Sequence, residues 1–258
     1  MNRLLYTDMC RMYGSKRFWF FVTAMAAVAF MFIVMQYTAM DYEVMLDRVI
    51  FLPISFYGLI TGALISLFVG DDFSDGVIRN KLVAGRSRCA VFFSNLITCW
   101  SACLILYFFM IGITAGIGVF LFENNVTGAE FLRYLGLGML TCIAFGSLYC
   151  MLSMLIGNKP NAVMACMALA FVMLFLSLHT NQILVQPQVK DGALNPHYAD
   201  GVCRVFYEIL HDGNPTGQAA QLSAMECYSP FRFIACDLLW TAVATVLGTV
   251  LFQRKDIR

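Results

Sequence analysis

The chain has 258 residues, of which 60% are hydrophobic and 13% charged, with a formal net charge of +1. A soluble domain carries roughly 25% charged residues, so this balance excludes one, and no nucleic-acid partner is expected. The apolar residues fall in blocks long enough to span a bilayer, which takes about 20 per helix. These runs do not alternate with polar residues, which excludes the strands of a membrane barrel. The expected fold is an all-α polytopic membrane protein, one transmembrane domain over residues 1–258.

Residues 1–17 read as an amphipathic helix. Leu5, Tyr6, Met9, Met12 and Tyr13 recur at helical spacing, with Arg3, Thr7 and Arg11 on the other side. Such a helix lies in the headgroup region of a bilayer or packs on a soluble partner. Lys16 and Arg17 anchor the point where the chain enters the membrane. Six spans are predicted at 18–37, 49–69, 91–122, 135–156, 162–178 and 233–252. The third exceeds what a perpendicular helix needs, so its start is expected to be interfacial, tilted or kinked. The first lacks a small-residue cleavage site, and a removable signal peptide is not expected.

Between the second and third spans lies a polar segment, 70–90, containing "DDFSDGVIRNKLVAG". Gly70 ends the second span, and Asp71 and Asp72 follow it. Asp75 stands where a helix N-cap belongs, and Gly76 allows a tight turn. Residues 77–84 make two helical turns that Gly85 terminates. Ile78 and Leu82 share one stripe and are expected to be exposed, gaining little unless lipid or protein covers them. Arg86 and Arg88 are expected to hold the third span at the headgroups.

The remaining connections are unequal. The first outer one, 38–48, is short and acidic, and residues 157–161 form a tight turn, GNKPN. The segment 180–232 is too long to be only a connector. Within it Val202, Val205, Phe206, Ile209 and Leu210 mark one apolar helix face. Gly213 ends that helix, and Asn214 caps a second one with Pro215 in its first position. The two need something to cover, either the top of the bundle or the outer leaflet. Gly58/Gly62 and Gly112/Gly116 have the small-xxx-small spacing that lets helices approach closely, within the fold or between subunits.

Charge places the ends. Arg3, Arg11, Lys16, Arg17, Arg79, Lys81, Arg86, Arg88, Lys159, Arg254, Lys255 and Arg258 fall on one side of the six spans, 12 of the 17 basic residues. The positive-inside rule makes that side cytoplasmic, with both termini and the 70–90 segment on it.

Catalytic chemistry is not legible. HExxH, GxSxG, GxGxxG and GxxxxGK[ST] are all missing, and each marks a known machinery. The ten cysteines show no CxxC spacing, so no metal site is expected. Cys203 and Cys227 share the outer segment and are candidates for a disulfide. His179, His197 and His211 are read as solvated loop residues rather than as a zinc site with Asp200 or Asp212. Asp237, one turn into the sixth span, is read as reaching water or pairing with Arg232, the alternative being an ion path. Proton carriers usually show several buried acids or paired broken helices, neither of which is seen. Energy must therefore come from another molecule.

"FSDGVIRNKLVAGRSR", directly after a second span, resembles the coupling-helix region of bacterial type-2 ATP-binding-cassette exporter permeases. The resemblance extends to the basic amphipathic N-terminal helix, the six spans, the large outer segment with "NPTGQAAQLS", and the closing "LFQRKDIR". It implies two permease subunits, alike or different, each resting on a separate cytoplasmic ATPase subunit that binds ATP and Mg, while this chain binds no cofactor. It also implies that Phe73, Gly76, Val77, Ile78, Arg79, Asn80, Lys81 and Leu82 seat in a groove of that ATPase. The chain itself would be non-catalytic and would sit in a bacterial inner membrane. An amphiphilic cargo is expected, because the spans offer aromatics, methionines and small residues but no charged cavity. Self-protection against, or sensing of, an antimicrobial peptide on the same scaffold is the alternative.

Overall fold

The computed structural model describes residues 2–38, 44–190, 193–195, 198 and 200–255. His197, Asp256, Arg258 and residues 39–43, between the first two spans, lie outside the described residues. Eleven helices follow one another among those described. α1 (Asn2–Gly14) precedes α2 (Lys16–Thr38), the first span. The second span runs over Asp47–Ser74 and is broken near its start. A short α3 (Asp47–Ile50) leads into a 3-10 turn (Leu52–Phe56) carrying Pro53, and α4 (Tyr57–Ser74) completes the crossing. Pro53 has no N–H to give an α-helix, which accounts for the break.

α5 (Val77–Val83) is the short polar helix, and α6 (Arg88–Leu121) is the third span. α6 is one continuous 34-residue helix, about 51 Å long at 1.5 Å per residue. It exceeds a bilayer core of about 30 Å; the excess at its first turns is covered by α1, so no kink is needed. α7 (Gly128–Ile156) opens with a capping box between Thr127 and Glu130. α8 (Lys159–Leu184) starts after Gly157, which adopts a left-handed φ of 70° in the predicted tight turn. Its end lies beyond the predicted 178, so His179 is helical. Thr180, just past that boundary, is buried, with its hydroxyl 2.7 Å from His211 Nδ1.

A two-residue strand pair, β1 (Val189–Lys190) with β2 (Ala193–Leu194), leads to α9 (Gly201–Asp212). α10 (Pro215–Ser223) follows, and α11 (Pro230–Arg254) is the sixth span. The Asn214 cap is present, its side chain accepting from Thr216 N at 3.2 Å.

α4 and α7 are the most enclosed spans and α11 the least. Their contact is close because of glycine. A Cβ on Gly58 would lie 2.9 Å from Phe145 Cε1, and one on Gly62 would press the Tyr149 ring. Gly112 and Gly116 have nothing within 4 Å of a notional Cβ. The first pair therefore serves packing within the fold, and the second lies on an open face of α6. Tyr57 donates to Cys103 O at 2.6 Å and Trp100 to Ser147 Oγ at 2.8 Å, closing polar groups inside the bundle.

Candidate functional site

The polar segment is tied down by charge. The second span does not end at Gly70: α4 continues to Ser74, so Asp71 and Asp72 are helical and Asp75 is its C-cap, not the N-cap of α5. The residue before α5 is Gly76, at a left-handed φ of 67° that favours glycine, and no side chain caps the helix. α4 has no reason to stop earlier because its acids are neutralised. Asp71 pairs with Arg17 and lies 2.7 Å from Lys159 Nζ. Asp72, fully buried, accepts from Arg11 Nη2 at 2.6 Å.

Lys81 turns back from α5 into this cluster. Its Nζ lies 2.6 Å from Asp8 Oδ1 and 3.4 Å from Asp72 Oδ2, and its side chain is 8% exposed. The Asp8 contact is Coulombic rather than an aligned hydrogen bond, since that oxygen has no hydrogen-bond donor. The other oxygen of Asp8 accepts from Ser94 Oγ at 2.6 Å. Two carboxylates and two cations from α1, α4 and α5 thus neutralise one another against α6, with Asp8, Asp72 and Lys81 buried and Arg11 half-buried at the edge. Removing one member of such a buried pair costs about 3–5 kcal/mol, because the remaining charge is stranded.

This arrangement rotates α1 relative to expectation. The buried face is Leu4, Asp8 and Met12, while Tyr6 is exposed. A carboxylate that must reach Lys81 and Ser94 outweighs the burial of one tyrosine ring. α5 is turned likewise. Ile78 is buried in the core and Leu82 is half-buried against it, so the expectation that both are exposed is corrected. The outward face carries Arg79, Asn80 and Val83, the last 81% exposed, with Arg86 beyond. Val77 is half-buried. Phe73 lies under the Lys255 ammonium, 4.3 Å from its ring centroid. Burial lowers the pKa of Lys255, whose Nζ also donates to Met154 O at 3.0 Å.

Of the expected membrane anchors, Lys16 and Arg86 are exposed, whereas Arg17 is engaged by Asp71. Arg88 is corrected to an internal role. Its guanidinium donates to the carbonyls of Phe252, Gln253 and Lys255, capping the C-terminal end of α11. These contacts bring α1, α5, the α7–α8 turn and the end of α11 together at one end of the bundle.

A second polar cluster fastens the opposite end. Arg232 contacts Glu208 at 3.2 Å and Asp212 at 3.1 Å, and Gln221 donates to Asp212 at 2.8 Å. Arg232 is therefore not the partner of Asp237. Asp237 is buried in the bundle, where one oxygen accepts from Thr141 Oγ1 at 3.1 Å and the other has no partner. His211 is not solvated: it is 1% exposed, with Nδ1 2.7 Å from Thr180 Oγ1. Burial pushes its imidazole down to about 4. The Asp212 carboxyl is raised by burial, against the pull of Gln221 and Arg232.

α10 is sunk into the top of the bundle through Pro215, Gln218, Ala219 and Leu222. Most of the apolar stripe of α9 is uncovered, for Val202, Val205, Phe206 and Ile209 face outward while Leu210 is half-buried. Cys203 lies exposed on α9, and Cys227 packs half-buried beside the core; all ten cysteines are free, so the candidate disulfide is not formed. No three His, Cys, Asp or Glu residues are grouped to hold a metal ion among the described residues.

Six apolar helices long enough to cross a bilayer give the class, that of a multi-pass membrane protein. Comparison with protein-family models and with curated proteins finds no match.

Proposed function

We propose that the chain is the membrane-spanning permease subunit of an ATP-driven exporter of the ATP-binding-cassette kind in a bacterial inner membrane. It moves an amphiphilic cargo, such as a peptide, a drug-like molecule or a lipid-linked compound. Separate cytoplasmic ATPase subunits supply ATP and Mg chemistry, and a second permease subunit completes the pathway. The observation that carries this reading is α5, a two-turn helix between the second and third spans held by Lys81 against α1 and α4. A helix so fastened transmits a push instead of folding under it. Its outward residues Arg79, Asn80 and Val83 offer a compact cationic and apolar contact. The motif "FSDGVIRNKL" supports the same assignment.

The outward apolar stripe of α9 favours a second reading on the same scaffold, extraction or sensing of an antimicrobial peptide at the outer leaflet. Purification of the tagged chain from its native membranes tests the shared claim. Co-purification of an ATPase with a phosphate-binding loop, and ATP hydrolysis by the complex, is the expected result. Cargo transport by the chain alone, without such a subunit, would overturn it. Comparing peptide resistance with export of a cell-made product separates the two readings.

A further inference from the structure

A cleft of about 600 Å³ opens between the α1–α2 junction and the last turns of α4. Its apolar wall is built by Leu64, Leu67 and Phe68, and its polar rim carries charges of both signs. Arg17 and Asp71 on that rim are committed to each other. Lys16 and Asp75 are not. Neither side chain has an ion-pair or hydrogen-bond partner among the described residues, and both are exposed. Arg11 lines the same cleft, but its charge is committed to Asp72 and its Nη1 is buried.

An unpaired ammonium and an unpaired carboxylate, set against an apolar wall, are complementary to a zwitterion with a hydrophobic tail. We propose that the cleft binds an amine-bearing zwitterionic phospholipid. The phosphate is taken by Lys16, the primary ammonium by Asp75, and the first part of an acyl chain by Leu64, Leu67 and Phe68. The level is right for a headgroup, since Lys16 begins the first span and α4 ends its own there. Asp75 disfavours a purely anionic headgroup by like-charge repulsion. It also favours a primary amine over a quaternary one, because only the former donates charge-assisted hydrogen bonds to a carboxylate. Quaternary groups are instead held by aromatic cages, and the one aromatic ring on the wall does not make a cage. This proposal concerns the membrane-embedded chain alone and does not depend on an ATPase partner.

The test uses the full purified chain, stripped of lipid in mild detergent. It is offered equal amounts of phosphatidylethanolamine, phosphatidylcholine and phosphatidylglycerol with matched acyl chains, and retained lipid is counted by native mass spectrometry. The expected result is about a tenfold preference for phosphatidylethanolamine over phosphatidylcholine, the size of one charge-assisted hydrogen bond. Asp75→Asn should erase that preference, and Lys16→Gln should lower retention of all three. Both side chains lack partners in the fold, so unchanged melting of the variants serves as the folding control. Equal retention of the three lipids, a preference for phosphatidylglycerol, or a preference that survives Asp75→Asn would each overturn the proposal.

Discussion

Asp8 and Lys81 meet 2.6 Å apart, one from the helix before the first span and the other from the helix after the second. Neither charge is open to solvent, and Asp72 and Arg11 complete the neutralisation. α1 and α5 are therefore one mechanical unit. α5 cannot shift without either dragging α1 or stranding a charge.

Lys81→Met is expected to destabilise the chain by about 3–5 kcal/mol, since it leaves Asp8 and part of Asp72 uncompensated out of water. Asp8→Asn should cost less. The double variant should cost less than the sum of the two, because the stranded partner is removed. Thermal unfolding in detergent of the four proteins closes this cycle. Additive losses would mean that the pair is not coupled.

Gly58→Leu is expected to lower the melting temperature through overpacking against Phe145, at a cost of about 1–3 kcal/mol. Gly112→Leu, with open space at its Cβ, should leave melting of the isolated chain unchanged. A loss at Gly112 confined to an assembled complex would locate a subunit contact on that face of α6.

The α9–α10 end of the bundle should loosen in acid. His211 is neutral when buried, its imidazole held at about 4, while an unfolded histidine takes a proton near 6.5. The folded value lies below the unfolded one, so this contribution is complete above about pH 6.5 and is lost as pH falls toward 4. Its size is on the order of 3 kcal/mol at about 1.4 kcal/mol per pH unit. Asp212, raised by burial, titrates in the opposite sense, so melting of the native chain is best compared with that of His211→Asn across pH 4 to 7. The variant should show a flatter dependence; an identical one would remove His211 as the cause.

Much of the fold was legible because it follows from solvent. Apolar length alone located all six spans, and Gly213, Asn214 and Pro215 placed the α9–α10 junction. The charged unit was not legible, for a physical reason. Helical spacing reads hydrophobic stripes and assigns every carboxylate to the wet face, yet Asp8 is buried because Lys81 and Ser94 reach it from segments distant in sequence. Tertiary packing likewise buries Ile78, and the extension of α4 to Ser74 makes Asp75 its C-cap where the N-cap of α5 was expected. One signal was available. Asp8 lies between Leu4 and Met12 at i, i+4 spacing, so one helix stripe carries an acid flanked by apolar residues. A lone charge in such a stripe asks for a buried partner. His211 was misread for a similar cause: it closes an amphipathic helix, and only tertiary packing on Thr180 shows that it is covered.

α5 is thus proposed to work through its outward face alone, with Val83 at the centre and Arg79 and Asn80 beside it. Ile78→Asp would unfold the segment and report nothing on docking. The direct measurement is the amount of the proposed ATPase subunit recovered per chain with Val83→Asp, alongside melting of the variant. Val83 is 81% exposed, so melting should match the native chain, while recovery should fall about tenfold or more, as for loss of an interface anchor. Undiminished recovery with native melting would contradict α5 as the place where force enters this protein.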